Sequence, residues 1–301
     1  YAESAREIVE SGDWLTPRFN YVPRFEKPIL YYWLVALTYQ ITGIEVAAAR
    51  LPSALAGIGL SILVFMMARR SFGVPTGTLA GIITATSFGY VTVARLALPD
   101  LVLAFLVTLS IWSTIVACLN QSNEHGRSLS TRERGRYLLV AALATGGAVL
   151  TKGPVGLVLP ALVIGPIFAY EIWTSRSDWL VRRSDVALAV LLFLVVTIPW
   201  FLGMTLTHGL SYLDRFFLAE NVERFTASRY NDPRALWYYI PIIAGGFLPW
   251  SPFMILWLPQ IAAVLRRRTS PTQCQLRLIW WASAPLLFFT LSIGKQPRYI
   301  L

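Results

Sequence analysis

Pro99-Asp100-Leu101-Val102-Leu103-Ala104-Phe105-Leu106, continuing through Ile111-Trp112-Ser113 to Cys118-Leu119, decides the fold. From Leu101 onward it runs nineteen residues without a charge, enough for one helix to cross a hydrocarbon layer of about 30 Å. Seven further apolar blocks occur at 51–68, 73–94, 137–151, 153–173, 186–205, 236–258 and 276–293. With 55% hydrophobic and 14% charged residues in 301, these blocks predict an all-α polytopic membrane protein. Block 137–151 is short and runs straight into Lys152-Gly153-Pro154, so it and 153–173 are expected to form a tight re-entering hairpin.

The net charge of +10 does not indicate nucleic acid, because the basic residues lie scattered in connectors instead of forming one patch. Connectors 69–72, 120–136, 174–185 and 259–277 carry 13 Lys and Arg against 4 Asp and Glu. The positive-inside rule places them in the cytoplasm. Segments 1–50, 95–100, 208–234, 294–301 and Lys152 then face the outside. Cys118 and Cys274 offer neither a disulfide framework nor a metal cluster. The sequon Asn120-Gln121-Ser122 falls on the cytoplasmic side and reads as chance. The chain opens inside a polar helical segment and stops after a motif-like run, which suggests a fragment truncated at both ends.

Two regions emerge: an outer loop with interfacial helices at 1–50, and a bundle of about eight spans at 51–301 with an outer loop at 205–235. In the first, Glu3 to Glu10 has helical spacing and Gly12 is placed to end the helix. Glu26 and Lys27 sit among aromatics, and Pro28 biases Lys27 away from helix, so the pair belongs at a turn. Trp14, Phe19, Tyr21, Phe25, Tyr31, Tyr32 and Trp33 are expected to anchor the region at headgroup depth, and 34–41 to form a second interfacial helix. By that reading alone the stretch is a plain aromatic belt.

Asp100 at the start of an apolar helix has a structural reading, since an acid there suits the helix dipole. Lys152 likewise reads as a snorkelling lysine, and 205–234 as an amphipathic surface helix. Against this, ionisable groups at a membrane boundary are functional candidates. In the outer loop, Arg224 offers a planar fork for phosphate and Asn221 a neutral amide. Lys27, Asp100, Lys152, Arg224, Lys295 and Arg298 all map to one face. A reaction on a lipid-linked phosphate needs such a convergence.

At these residues the chain resembles the polytopic glycosyltransferases of the GT-C superfamily, particularly lipid A aminoarabinose transferases and protein O-mannosyltransferases. The resemblance rests on Tyr1-Ala2-Glu3 with Arg6-Glu7, Gly12-Asp13-Trp14, Phe25-Glu26-Lys27-Pro28, Tyr32-Trp33, Ala49-Arg50-Leu51-Pro52, Lys152-Gly153-Pro154, Glu220-Asn221 with Arg224-Phe225, and Lys295 with Pro297-Arg298-Tyr299. It implies a GT-C-like helix bundle in the inner membrane that transfers a glycosyl group from a polyprenyl-phosphate sugar at the outer face. The acceptor is a lipid, glycan or protein. Lys27 and Asp100 are then the catalytic candidates, with Glu26, Lys152, Asn221, Arg224, Lys295, Arg298, Tyr299, Glu3 and Arg6 binding substrate. The resemblance further implies a first span and an Asp-Glu pair upstream of Tyr1, the principal catalytic aspartate among them, and further spans and an outer domain after Leu301. A divalent cation remains open. Asn221, where aminoarabinose transferases tend to carry histidine, counts against a zinc-like site involving Glu26. The rival reading is a transporter or flippase of lipid-linked sugars, with charges near the midplane in paired repeats; no convincing repeat is visible. A scaffold would not need Lys27, Asp100 and Lys152 on one face.

Overall fold

The computed structural model describes residues 1–119, 129–174, 181–217, 234–257, 259, 262–263 and 272–300. Helix α1 (Ala2–Ser11) is followed by a two-strand hairpin, β1 (Arg18–Phe19) with β2 (Val22–Pro23), and by α2 (Leu30–Thr42). The bundle comprises α3 (Val46–Phe72), α4 (Val74–Thr86), α5 (Phe88–Ala94), α6 (Asp100–Cys118), α7 (Thr131–Lys152), α8 (Val155–Trp173) and α9 (Arg183–His208). Short α10 (Leu210–Leu213) and α11 (Tyr239–Gly246) precede α12 (Gln273–Leu291). Among the described residues five helices are long and apolar enough to cross a membrane. The pair α4 and α5, bent by 62°, is either a sixth, broken span or a re-entrant loop. Val190, Leu191, Val195, Ile198 and Leu202 of α9 are exposed, as a lipid-facing helix requires.

Two parts of the sequence reading are corrected here. Block 137–151 understates its helix: α7 starts at Thr131 and runs 22 residues, about 33 Å at 1.5 Å per residue. A capping box of Ser130 and Glu133 begins it within charged sequence, where hydropathy gives no signal. Buried Arg134 spends its guanidinium on the carbonyls of Ala117 (3.0 Å) and Leu119 (3.3 Å), the last turn of α6. Block 236–258, in turn, is not one continuous helix. It breaks into a 3-10 turn, α11 and a second 3-10 segment (Ser251–Trp257), in a run holding Gly245, Gly246, Pro249 and Pro252.

The 1–50 region is a layer stapled onto one end of the bundle. Gly12 ends α1 in the left-handed conformation (φ 70°), the geometry glycine adopts without strain. Trp200 of α9 donates its indole N–H to Leu15 O (3.0 Å), and Trp33 of α2 donates to Trp14 O (2.7 Å). Asn20 and Tyr21 both have positive φ, as a two-residue hairpin turn demands. Buried Glu7 supports that turn by accepting from the Tyr21 N–H (3.1 Å). Tyr31 and Tyr32 depart from the aromatic-belt expectation: both are fully buried, in a core with Ala5, Ile8, Val35 and Met204. Burying apolar side chains such as Ile8 and Val35 contributes about 1.5–3 kcal/mol each. Phe19 and Tyr21 do remain exposed.

Candidate active site

Helices α6 and α7 run antiparallel, so Asp100, the first residue of one, meets Lys152, the last of the other. Lys152 Nζ donates to Asp100 Oδ1 at 2.6 Å, and the two side chains are only 14% and 8% exposed. Each charge also suits its own helix end, the acid at an N-terminus and the cation at a C-terminus. Gly153 makes the junction possible by turning at φ 75°. Three residues on, a side chain at Gly156 would lie 2.3 Å from the Ala148 carbonyl carbon. Only glycine lets α8 start this close to α7. Lys152 Nζ also stands 4.9 Å from the centre of the Tyr299 ring, within cation–π range.

The layer formed by residues 1–50 covers this pair. Tyr1 packs on Tyr31 and Tyr32, with ring centres 5.4 Å apart in both contacts. Burial, and then the Asp100 charge, push the Tyr1 phenol from 10.0 up to about 12. It therefore stays a neutral hydroxyl throughout the physiological range. Arg298, Arg24 and Glu26 act on the same phenol through their charges. Tyr31 shares a hydrogen bond with Ser53 Oγ (2.9 Å), and Ser53 donates to Leu98 O (2.7 Å). That chain joins α2 and α3 to the turn that presents Asp100.

Glu26 accepts from Arg24 Nη2 at 2.7 Å, and Lys27 follows it in the turn before α2. The Arg24 guanidinium lies 5.5 Å from the Tyr1 ring centre and 5.3 Å from that of Phe19. The Tyr1 phenol thus senses Asp100, Arg24, Arg298 and Glu26, and Lys152 and Tyr299 connect to it through Asp100. Lys295 is buried and donates to Arg234 O (3.0 Å), while Arg298 donates to Gln296 Oε1 (2.8 Å). Glu3 and Arg6 pair with one another on α1, where Arg6 also engages Glu10. The Arg6 hydrogen bond holds the Glu3 carboxyl below its usual range. Asn221 and Arg224 lie outside the described residues.

Sequence reasoning missed Tyr1, Arg24 and Tyr32 as parts of this site. Tyr1 and Tyr32 stood in quoted motifs but read as family markers and anchors, and Arg24 had only its place two residues before Glu26. Among the described residues no three of His, Cys, Asp and Glu side chains gather into a group able to hold a metal ion. The arrangement can offer positive charge and neutral hydroxyls to an anion, beside a carboxylate locked to a lysine.

Residues 1–207 match the family described as dolichyl-phosphate-mannose-protein mannosyltransferase. The undecaprenyl phosphate-alpha-4-amino-4-deoxy-L-arabinose arabinosyl transferase 2 of Pseudomonas fluorescens is 33% identical over 307 residues, covering 100% of this chain and 48% of its own length. The arabinosyl transferase of Pseudomonas aeruginosa (strain LESB58) is 34% identical over 305 residues, with 100% and 52% covered. The crystal structure of ArnT from Cupriavidus metallidurans bound to undecaprenyl phosphate is similar with a TM-score of 0.81 at 30% identity, covering 100% of this chain and 52% of that one. The chain spans about half the length of the curated relatives it matches. Spans, layer and motifs agree with these likenesses: the chain belongs to the dolichyl-phosphate-mannose-protein mannosyltransferase family and carries the GT-C fold.

Proposed function

We propose that this protein transfers a sugar from a polyprenyl-phosphate donor to a lipid, glycan or protein acceptor at the outer face of the inner membrane. The observation that carries the reading is the Lys152–Asp100 pair, buried at one end of the bundle among Tyr1, Tyr299 and Arg298. The relatives named as arabinosyl transferases, and the ArnT structure bound to undecaprenyl phosphate, support it. In the reaction the bond from the sugar's anomeric carbon to the phosphate oxygen breaks, and its electron pair stays on the phosphate. The acceptor oxygen bonds that carbon, and its proton passes to the released phosphate. Cations at the departing oxygen are worth more in the transition state than in the ground state. Lys27 and Arg224 take this role, supported by Arg298 and Tyr299. Asp100 fixes Lys152 in place, and the pair orients the acceptor.

A flippase would place charges near the midplane on broken helices. The break between α4 and α5 does adjoin the one after α11, with Phe88 N–H donating to Leu248 O (2.8 Å). The cavity of about 220 Å³ beside it is lined by Thr84, Ser87, Tyr90, Ile243, Gly246, Phe247 and Ile300, all uncharged. That favours transfer over transport. The test is release of polyprenyl phosphate from a polyprenyl-phosphate sugar by the full-length protein in proteoliposomes supplied with lipid A as acceptor. Reporter fusions within 120–128 and 218–233 check the sidedness. A cytoplasmic 218–233 would reverse the orientation and remove the outer-face donor.

A further inference from the structure

Two hydrogen-bond donors of the site face inward with nothing to receive them. Arg24 Nε and the Tyr32 hydroxyl are shielded from solvent and lack any acceptor, although Tyr32 is fully buried. Such orphan donors are uncommon in a folded chain and call for an explanation. Arg24 is held by its Glu26 ion pair and by the Tyr1 and Phe19 rings, so its fork has a set direction. The Tyr32 phenol is within reach of the Arg24 charge and packs on Tyr1. The Tyr1 phenol in turn senses Asp100 and Arg298. Through Tyr1 the corner adjoins the proposed reaction site. The carboxylates near it are already engaged: Glu26 with Arg24 and Asp100 with Lys152.

We propose that Arg24 and Tyr32 read one position of the donor's sugar through an oxygen acceptor, so that this protein takes a sugar with a hydroxyl or carboxylate at that position over one with a protonated amine there. This rests on the transferase reading above. One oxygen, with its two lone pairs, can accept from both orphan donors. An ammonium has no lone pair, and it would meet Arg24 and Arg298 with their carboxylate neighbours already paired. The inference separates this chain from relatives whose names specify a 4-amino-4-deoxy sugar.

The test uses the full-length protein in proteoliposomes with two donors, undecaprenyl phosphate-arabinose and its 4-amino-4-deoxy counterpart, scored by release of undecaprenyl phosphate. The wild type should turn over the hydroxyl sugar with at least tenfold higher kcat/KM. Arg24→Gln should lower that value about tenfold and cost the amino sugar several-fold less, narrowing the gap. Arg24→Lys keeps the charge beside Glu26 and guards against a folding defect, and should retain part of the preference. Tyr32→Phe deletes a hydroxyl that has no partner to lose, so melting should not shift while KM for the hydroxyl sugar rises severalfold. Equal or better use of the amino sugar by the wild type overturns the inference and leaves the transferase reading standing. Equal losses for both donors in Arg24→Gln and Tyr32→Phe overturn it too, by making both residues structural. Release from neither donor overturns this inference, and the transferase reading then stands or falls on donors carrying other sugars.

Discussion

Among the described residues the bundle holds two buried ion pairs that are almost copies of one another. Lys152 and Asp100 meet at 2.6 Å with side chains 14% and 8% exposed, and Arg277 and Glu171 meet at 2.6 Å with 16% and 8%. They sit at opposite ends of α8: Lys152 comes just before its start and Glu171 lies in its last turn. Their surroundings separate them. Beside Arg277 and Glu171 is a cavity of about 290 Å³ lined also by Pro166, Ile167, Tyr170, Gln273, Leu276 and Trp280, with no further charge among the described residues that line it. Beside Lys152 and Asp100 stand Tyr1, Tyr299, Arg298 and, beyond Tyr1, Arg24 with Glu26. A buried ion pair is therefore not by itself a site. What makes one is a second set of polar groups aimed at the same space.

The comparison breaks most sharply on Lys27. In the full-length protein Lys27→Met keeps the apolar stem and loses the cation, so transfer should fall about 10²–10³-fold, the usual cost of one preorganised electrostatic contact. Lys27→Arg should rescue only part, since the fork differs from an ammonium in geometry. Normal turnover by Lys27→Met at matched expression would return residues 18–33 to a plain aromatic belt.

Stability sharpens the comparison next. Removing one partner of a buried pair costs about 3–5 kcal/mol, whereas replacing both by apolar residues is often neutral. Arg277→Met should therefore lower the melting temperature, and the double change Glu171→Leu with Arg277→Met should restore most of it with transfer intact. The matching double change Asp100→Leu with Lys152→Met should also recover melting but not transfer. Restored transfer there would show the two ends to be equivalent.

Smaller effects follow. Tyr31→Phe removes one hydroxyl bond to Ser53, at a cost of about 1 kcal/mol, visible as a modest drop in melting temperature. Tyr1 gives a pH signature. Its folded value of about 12 exceeds the ordinary 10.0, so the stability it adds is complete below pH 10.0 and lost as pH rises toward about 12. Tyr1→Phe should flatten that part of a melting-versus-pH curve and leave the neutral range unchanged.

Much of this was legible in the residues. The uncharged runs gave α3, α6, α8, α9 and α12, and counting connectors by face brought Asp100 and Lys152 to the same end. Hydropathy failed where helix and apolar run part company: the first turn of α7 is charged, and 236–258 is apolar yet interrupted by Gly and Pro. Tyr31 and Tyr32 have the composition of an interfacial belt, and only the packing of α1 and α2 puts them in a core. Arg24 was hidden for the same reason. Its partners Tyr1, Phe19 and Tyr32 come together through the hairpin turn at Asn20 and Tyr21, which no periodicity announces. Asn221 and Arg224 fall outside the described residues, so their place in the site rests on the resemblance.

The most direct measurement is the initial rate of sugar transfer by full-length Asp100→Asn beside Glu171→Gln, at matched expression and membrane insertion. If the end bearing Asp100 is where transfer occurs, Asp100→Asn loses at least about a hundredfold while Glu171→Gln stays near the wild-type rate. Equal losses, or a functional Asp100→Asn, would contradict the account.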